Sequence, residues 1–271
     1  MERAKSLRES TELEEYEKLE IENNIQDDEH VLHMWQPLPE LEIDEDFELI
    51  PKSIFFKLAS TLLYIVAYPI LFVFNKLVYQ FQIEGIENMW KVEGGRITVS
   101  NHVHPMDCTM NAILNGPRKL FFPTLKSNFQ IPVVKTLIRL LHAIPIPTNK
   151  QGNERFKETI NELLQKGETV HFYPEAALRP YCTKLRHFKN GAFHFAVENE
   201  VPIIPIIYTY KPVTGIRKMI RRKPLIQATI LEPIYPEKKS DKTQKQKVEE
   251  LKQEVWNKMD ETIIRKMETI G

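Results

Sequence analysis

A histidine able to take a proton and an aspartate able to orient it stand five positions apart in Asn101-His-Val-His-Pro-Met-Asp107, with a proline between them. Five is not a neighbour spacing on a helix, where side chains three or four apart meet, so His102 and Asp107 can meet only across a turn. The flanks supply one. Before it runs Arg96 to Asn101, Arg-Ile-Thr-Val-Ser-Asn, β-branched enough for a strand; after it the pattern turns helical from about Pro105 or Met106, and proline suits a first helical turn. Such a turn sets both side chains at the mouth of a sheet. The aspartate would accept from one imidazole nitrogen and stabilise the charged ring while the other nitrogen removes a proton. A dyad without a serine leaves the nucleophile to the substrate. The chemistry indicated is attack of a bound hydroxyl on an acyl carbonyl, with N–H groups at the helix start available to the oxyanion.

Other reactive side chains accompany this pair. Cys108 follows Asp107, and Cys182 lies near Lys184 and Arg186, a setting that favours a thiolate and a covalent acyl-enzyme; small buried cysteines are the commoner reading. The two cysteines show no CxxC or Cys/His spacing, which argues against a disulfide framework and for a reducing compartment. His104, His142, His171, His187 and His194 form no HExxH and no tight cluster, so no metal site is expected. His171, in a strand pattern, reads as structural, Asn101 as a brace for the turn, and Arg186 to Lys189 as a basic rim.

The elements that must position the pair are legible in outline. A chain of 271 residues with 42% hydrophobic and 27% charged positions can bury one core, with appendages. Its net charge of zero points to no nucleic-acid partner, but residues 1–50 carry 17 acidic and 4 basic side chains, leaving a basic body suited to anionic surfaces or substrates. Three regions are expected: an acidic arm over 1–50, in which Ser6 to Asn24 reads as a surface helix or partner-binding arm; a membrane-associating helical segment over 51–82; and a domain over 83–271 closed by a C-terminal helix. The arm lacks the basic start and apolar centre of a secretory signal. Leu58 to Asn75 is an uncharged run of 18 residues between Lys57 and Lys76, at the lower edge of a bilayer span. Pro69 breaks it, which fits two short apolar helices dipping into one leaflet about as well as one kinked span; a buried core helix is the plainer reading.

From Arg96 on, β-branched runs at 96–101, 119–124, 169–173, 203–210 and 225–232 alternate with helical patterns, which argues an α/β fold with a mainly parallel or mixed central sheet flanked by helices. Asn153 is the expected cap of a crossover helix that buries Phe156, Ile160, Leu163 and Leu164 and stops at Gly167. A last helix from about Gln244 carries the stripe Val248, Leu251, Val255, Met259, Ile263 and Met267.

The sequence Asn101-His-Val-His-Pro-Met-Asp107 resembles the NHxxxxD signature of the glycerolipid acyltransferases, the family that includes lysophosphatidic acid acyltransferase. Three further stretches stand in that family's order. Thr124 to Asn149 resembles its second block, His171 to Pro180 (His-Phe-Tyr-Pro-Glu-Ala-Ala-Leu-Arg-Pro) its FPEGTR block, and Val201 to Ile206 its last, apolar block. The resemblance implies transfer of a fatty acyl group from a thioester of coenzyme A or acyl carrier protein to the hydroxyl of a lysophospholipid-like acceptor at a membrane, on its cytoplasmic face, with no bound cofactor. It makes His102 the general base and Asp107 its orienter, and Asn101, Glu175, Arg179, Lys150 and Lys126 substrate-binding residues. Lys211, Arg217, Lys218, Arg221, Arg222 and Lys223 would rest on anionic headgroups.

The chain also departs from the pattern. Where the family reads Glu-Gly-Thr-Arg, it has Glu175-Ala176-Ala177-Leu178-Arg179, so the arginine moves by one position and the threonine hydroxyl is gone. The arginine that closes the second block is replaced near Thr148 and Asn149, leaving Lys150 or Arg179 as substitutes for a phosphate grip. Two other readings follow from the same residues: a catalytically silent lipid or acyl-carrier binder that keeps the fold, and a hydrolase that gives the acyl group to water.

Overall fold

The computed structural model describes residues 47–268, apart from 131, 183, 212–223 and 239–240. The acidic stretch Ser6 to Asn24 and the basic cluster Arg217 to Lys223 lie outside the described residues.

A long apolar helix, α1 (Ile54–Val78), leads into a short edge strand, β1 (Gln82–Glu84). There follow β2 (Arg96–Ser100), α2 (Asp107–Leu114), β3 (Leu120–Leu125), α3 (Pro132–Leu140), β4 (Ala143–Ile146), α4 (Lys150–Gln165), β5 (Thr169–Phe172), α5 (Gly191–Asn199), β6 (Ile203–Lys211), β7 (Leu225–Ile230) and α6 (Gln244–Glu268). The seven described strands form one sheet in the order β1-β7-β6-β2-β5-β3-β4. Every pairing is parallel except β6 with β7, so the sheet is mixed. The parallel strands β2, β5, β3 and β4 therefore present their carboxyl ends along one edge, the usual place for a ligand in an open α/β sheet.

Strand alternation feeds two cores. On β6, Ile203 and Ile207 face one side with Ile97, Val99, Val170, Phe193, Val255 and Met259, while Ile204, Ile206, Tyr208 and Tyr210 face the other with Val103, Met110 and Leu114. The expected stripe of α6 is buried from Val248 to Ile263. The crossover helix α4 buries Phe156, Ile160, Leu163 and Leu164 as expected, but it starts earlier than the expected cap. Asn149, not Asn153, caps it, its Oδ1 accepting from the Gly152 N–H at 2.6 Å. The helix stops at Gly167, whose φ of +83° an L side chain resists. Strands β1 and β4, of three and four residues, are too short to carry a periodic signal, and each pairs in parallel with a longer neighbour.

Pro69 lies inside α1 without breaking it. A proline interior to a helix leaves the carbonyl four residues back without its N–H, here that of Ile65, whose side chain is 66% exposed at the outer surface. The helix is inverted relative to a soluble amphipathic one. Its outer face carries Phe55, Leu58, Leu62, Ile65, Ile70 and Leu77, all more than half exposed, while Ser60, Tyr64, Tyr68 and Asn75 point inward. Ser60 Oγ donates to the Leu140 carbonyl at 2.7 Å, Tyr68 to the Ile113 carbonyl at 3.3 Å, and Asn75 Nδ2 to Thr109 Oγ1 at 3.2 Å. Tyr64 Oη accepts from the Leu120 N–H at 3.4 Å.

Candidate active site

The turn between β2 and α2 is clamped from three sides. Asn101, 2% exposed, donates from Nδ2 to the Tyr208 carbonyl at 2.9 Å and accepts at Oδ1 from the Tyr208 N–H at 2.8 Å, tying the turn to β6. The carbonyls of His102 and Val103 accept from the N–H groups of Arg179 and Tyr181, each at 2.9 Å. The His102 N–H donates to Glu175 Oε2 at 3.0 Å.

So held, His102 and Asp107 meet. His102 Nδ1 lies 2.7 Å from Asp107 Oδ2. Asp107 is fully buried as the first residue of α2, where the helix N-terminus favours its charge. Its other oxygen, Oδ1, accepts from the Tyr173 hydroxyl at 2.7 Å. Both oxygens are thus bonded, as a buried carboxylate requires. With Nδ1–H turned to Asp107, the tautomer this network assigns leaves Nε2 as the acceptor, and no described residue bonds that nitrogen. The His102 side chain is 19% exposed, open at the ring edge that a substrate would reach.

Beneath the dyad lies a neutral polar layer. His171 Nδ1 is 2.8 Å from Thr98 Oγ1 and its Nε2 is 3.0 Å from Asn111 Nδ2. Burial lowers the His171 pKa to about 3, so the ring is uncharged and does not compete with His102 for the carboxylate. Burial, with Asp107 adding to it, pushes the Cys108 thiol up to about 12, so it offers no thiolate at neutral pH. Cys108 instead lines an apolar cavity of about 50 Å³ between α1 and α2, walled also by Tyr68, Leu71, Ala112 and Ile113.

The remaining expected site residues sort by geometry. Glu175 is 1% exposed, and its oxygens accept from the His102 N–H, from the Arg186 N–H at 3.0 Å, and from Arg186 Nη2 at 2.7 Å. That carboxylate grips the turn that carries His102, and Asn101 is likewise consumed internally, so both act on the turn rather than as open contacts. Arg179 is 5% exposed and sits against the turn through its backbone bond to His102. Lys126 Nζ reaches Thr148 Oγ1 at 3.2 Å, and exposed Lys150 begins α4 beyond β4, at the same carboxyl edge as His102 but with β5 and β3 between β4 and β2. Arg186 corrects its reading as part of a basic rim. It is 8% exposed, paired with Glu175, and also donates to the Ala177 carbonyl. No spacing rule joins residues 11 apart in a loop, so no local pattern signals this pair. Among the described residues, no group of three His, Cys, Asp or Glu side chains is placed to hold a metal ion.

Known proteins resemble this chain in sequence and in fold. Residues 80–209 match the family described as Acyltransferase. A chloroplastic 1-acyl-sn-glycerol-3-phosphate acyltransferase of Arabidopsis thaliana is 29% identical over 129 residues, covering 47% of this chain and 35% of that protein. A 1-acyl-sn-glycerol-3-phosphate acyltransferase of Limnanthes alba is 27% identical over 156 residues, covering 56% of this chain and 54% of that protein. The chain therefore spans about a third to a half of the length of these relatives. The crystal structure of the 1-acyl-sn-glycerophosphate acyltransferase PlsC from Thermotoga maritima has the same fold, with a TM-score of 0.54 at 22% identity over 78% of this chain and 86% of that one. The segment that holds His102 and Asp107 thus resembles the Acyltransferase family, and within it the 1-acyl-sn-glycerol-3-phosphate acyltransferases, over about half of the chain.

Proposed function

We propose that the protein is a membrane-associated O-acyltransferase that moves a fatty acyl group from a thioester of coenzyme A or acyl carrier protein to the hydroxyl of a lysophospholipid-like acceptor. The observation that carries this reading is the 2.7 Å contact of His102 Nδ1 with a buried Asp107, which leaves Nε2 on the open side. Nε2 takes the acceptor's hydroxyl proton as its oxygen attacks the thioester carbonyl; Asp107 steadies the imidazolium; the carbon–sulfur bond then breaks, and the thiolate leaves with the proton that His102 returns. An acyl-enzyme on Cys108 has no support in a thiol held near 12.

Acceptor binding falls to Arg179, Lys126 and Lys150. Lys150 is a cation at the positive end of α4, an unfavourable place unless an anion arrives, and an acceptor phosphate supplies one. Acyl methylenes would run towards the apolar cavity beside Cys108. Helix α1 is apolar and long enough to cross a membrane, yet its inward groups from Ser60 to Asn75 touch the domain along its length. A spanning helix would drag the domain into the bilayer, so α1 lies in the plane of one leaflet, apolar face down, with the site at the lipid surface; we assign that surface to the cytoplasmic side, where thioester donors are found.

The test is a matrix of labelled acyl-coenzyme A and acyl carrier protein donors against lysophosphatidic acid, other lysophospholipids and uncharged lipid alcohols in mixed vesicles. Acylated product on one acceptor supports the reading and names the headgroup. Release of free fatty acid without acceptor, or lipid binding with no product on any acceptor, contradicts it, in favour of a hydrolase or a silent binder respectively.

A further inference from the structure

Tyr173, the residue after β5, touches both members of the dyad. Its hydroxyl donates to Asp107 Oδ1 at 2.7 Å, the carboxylate oxygen that His102 does not use. Its ring lies on the His102 imidazole, with centroids 3.9 Å apart and planes 19° from parallel. The same hydroxyl accepts from Asn111 Nδ2 at 3.1 Å, and Asn111 Oδ1 accepts from the Tyr208 hydroxyl at 2.7 Å. Burial, then Asp107, raises the Tyr173 phenol well above its ordinary value, so it keeps its proton and stays a donor. The FPEGTR block to which this stretch is similar has phenylalanine at this place, a ring without a hydroxyl; here the hydroxyl is present and spent on the carboxylate.

An imidazole bonded at one nitrogen can still swing about that bond and tilt its free nitrogen off line. Ring stacking removes the tilt, and the phenol bond removes the rotation of the carboxylate on which the swing pivots. We propose that Tyr173 is a positioning residue for acyl transfer: it locks the Asp107 carboxylate through its hydroxyl and the His102 ring through its face, and so aims Nε2 at the acceptor hydroxyl. This rests on the acyltransferase reading of the site.

Tyr173→Phe keeps the ring and removes only the hydroxyl bond; Tyr173→Leu removes both. For the first, kcat falls between about 10- and 100-fold, the cost of misaiming a catalytic group, while KM for donor and acceptor stays within about twofold. Leucine deepens the loss in kcat. A structural residue would instead reduce the folded fraction, read by circular dichroism, and leave kcat per folded molecule unchanged. Proton NMR gives a readout that needs no turnover: the low-field Nδ1–H signal of His102, identified by its absence in His102→Ala, shifts in Tyr173→Phe and broadens into solvent exchange in Tyr173→Leu. Unchanged kcat per folded molecule together with an unshifted signal overturns the proposal. If the wild type transfers no acyl group at all, the enzyme reading falls, and the NMR signal alone decides whether Tyr173 orients the pair.

Discussion

Arg186→Met removes the cation from a buried pair and leaves its partner in place. The Glu175 side chain has no exposed area and that of Arg186 only 8%, with 2.7 Å between Nη2 and Oε2. Water therefore cannot take over the lost partner. The two backbone N–H groups of His102 and Arg186 still reach the carboxylate, but an unpaired buried charge costs about 3–5 kcal/mol. For a domain of this size that lowers the melting temperature by roughly 6–20 °C. Glu175→Gln with Arg186→Met removes both charges and leaves a near-isosteric amide, so the double variant melts above Arg186→Met alone. Glu162→Gln breaks a surface pair with 65% and 66% exposed partners and serves as the control with no measurable change. The assay is thermal unfolding followed by circular dichroism on all four proteins. An Arg186→Met melting point within about 3 °C of wild type, or a double variant that is the worst of the set, would refute the claim that this pair is desolvated. Because Glu175 also holds the His102 N–H, the surviving folded fraction of Glu175→Gln should show reduced kcat with little change in acceptor KM.

Burial depresses the pKa of His142 to about 4 and of His171 to about 3, from 6.5 in an unfolded chain. The unfolded state thus binds protons that the folded state refuses, so stability is full above 6.5 and falls as the pH drops below it, by about 3 kcal/mol for the pair between pH 6.5 and 5. Denaturant unfolding across that window measures it, and His142→Gln should lose about half the dependence. Ala176 stands at φ +64°, where a Cβ is strained. Ala176→Gly should therefore raise stability by about 1 kcal/mol or less, the gain being trimmed by unfolded-state entropy, and a lower melting point would contradict it. Leu62 and Ile65 are 64% and 66% exposed on α1. Replacing both with Glu should reduce vesicle co-flotation by at least about 10-fold, since burying each apolar side chain contributes about 2 kcal/mol, while soluble folding is preserved.

What the sequence disclosed was the part written in local patterns. The β-branched runs and the stripes of α4 and α6 repeat with strand and helix periods, so sheet, crossovers and closing helix follow from spacing. The dyad could be read because strand, proline and helix fixed a turn between His102 and Asp107. Pro69 misled because a lost hydrogen bond at a face turned outward disturbs no packing, and the inward bonds of Ser60, Tyr64, Tyr68 and Asn75 hold the two halves of α1 as one helix. Tyr173 and Arg186 could not be found this way. Both lie in the loop between β5 and α5, and their partners, Asp107 and Glu175, are reached by the path of that loop over the sheet edge, which no local period encodes. Glu175 illustrates the same limit: its position in a recognisable block suggests a substrate contact, while its bonds are to the His102 N–H and to Arg186.

The most direct measurement compares acyl transfer by the wild type and by His102→Ala on whichever acceptor the donor and lipid matrix identifies, with folding of both checked by circular dichroism. If His102 is the general base, the folded variant loses at least about 10²- to 10⁴-fold in kcat while labelled lipid still binds. A folded His102→Ala protein that transfers acyl groups at the wild-type rate would show that the proton leaves by another route and that the His102–Asp107 pair is architecture.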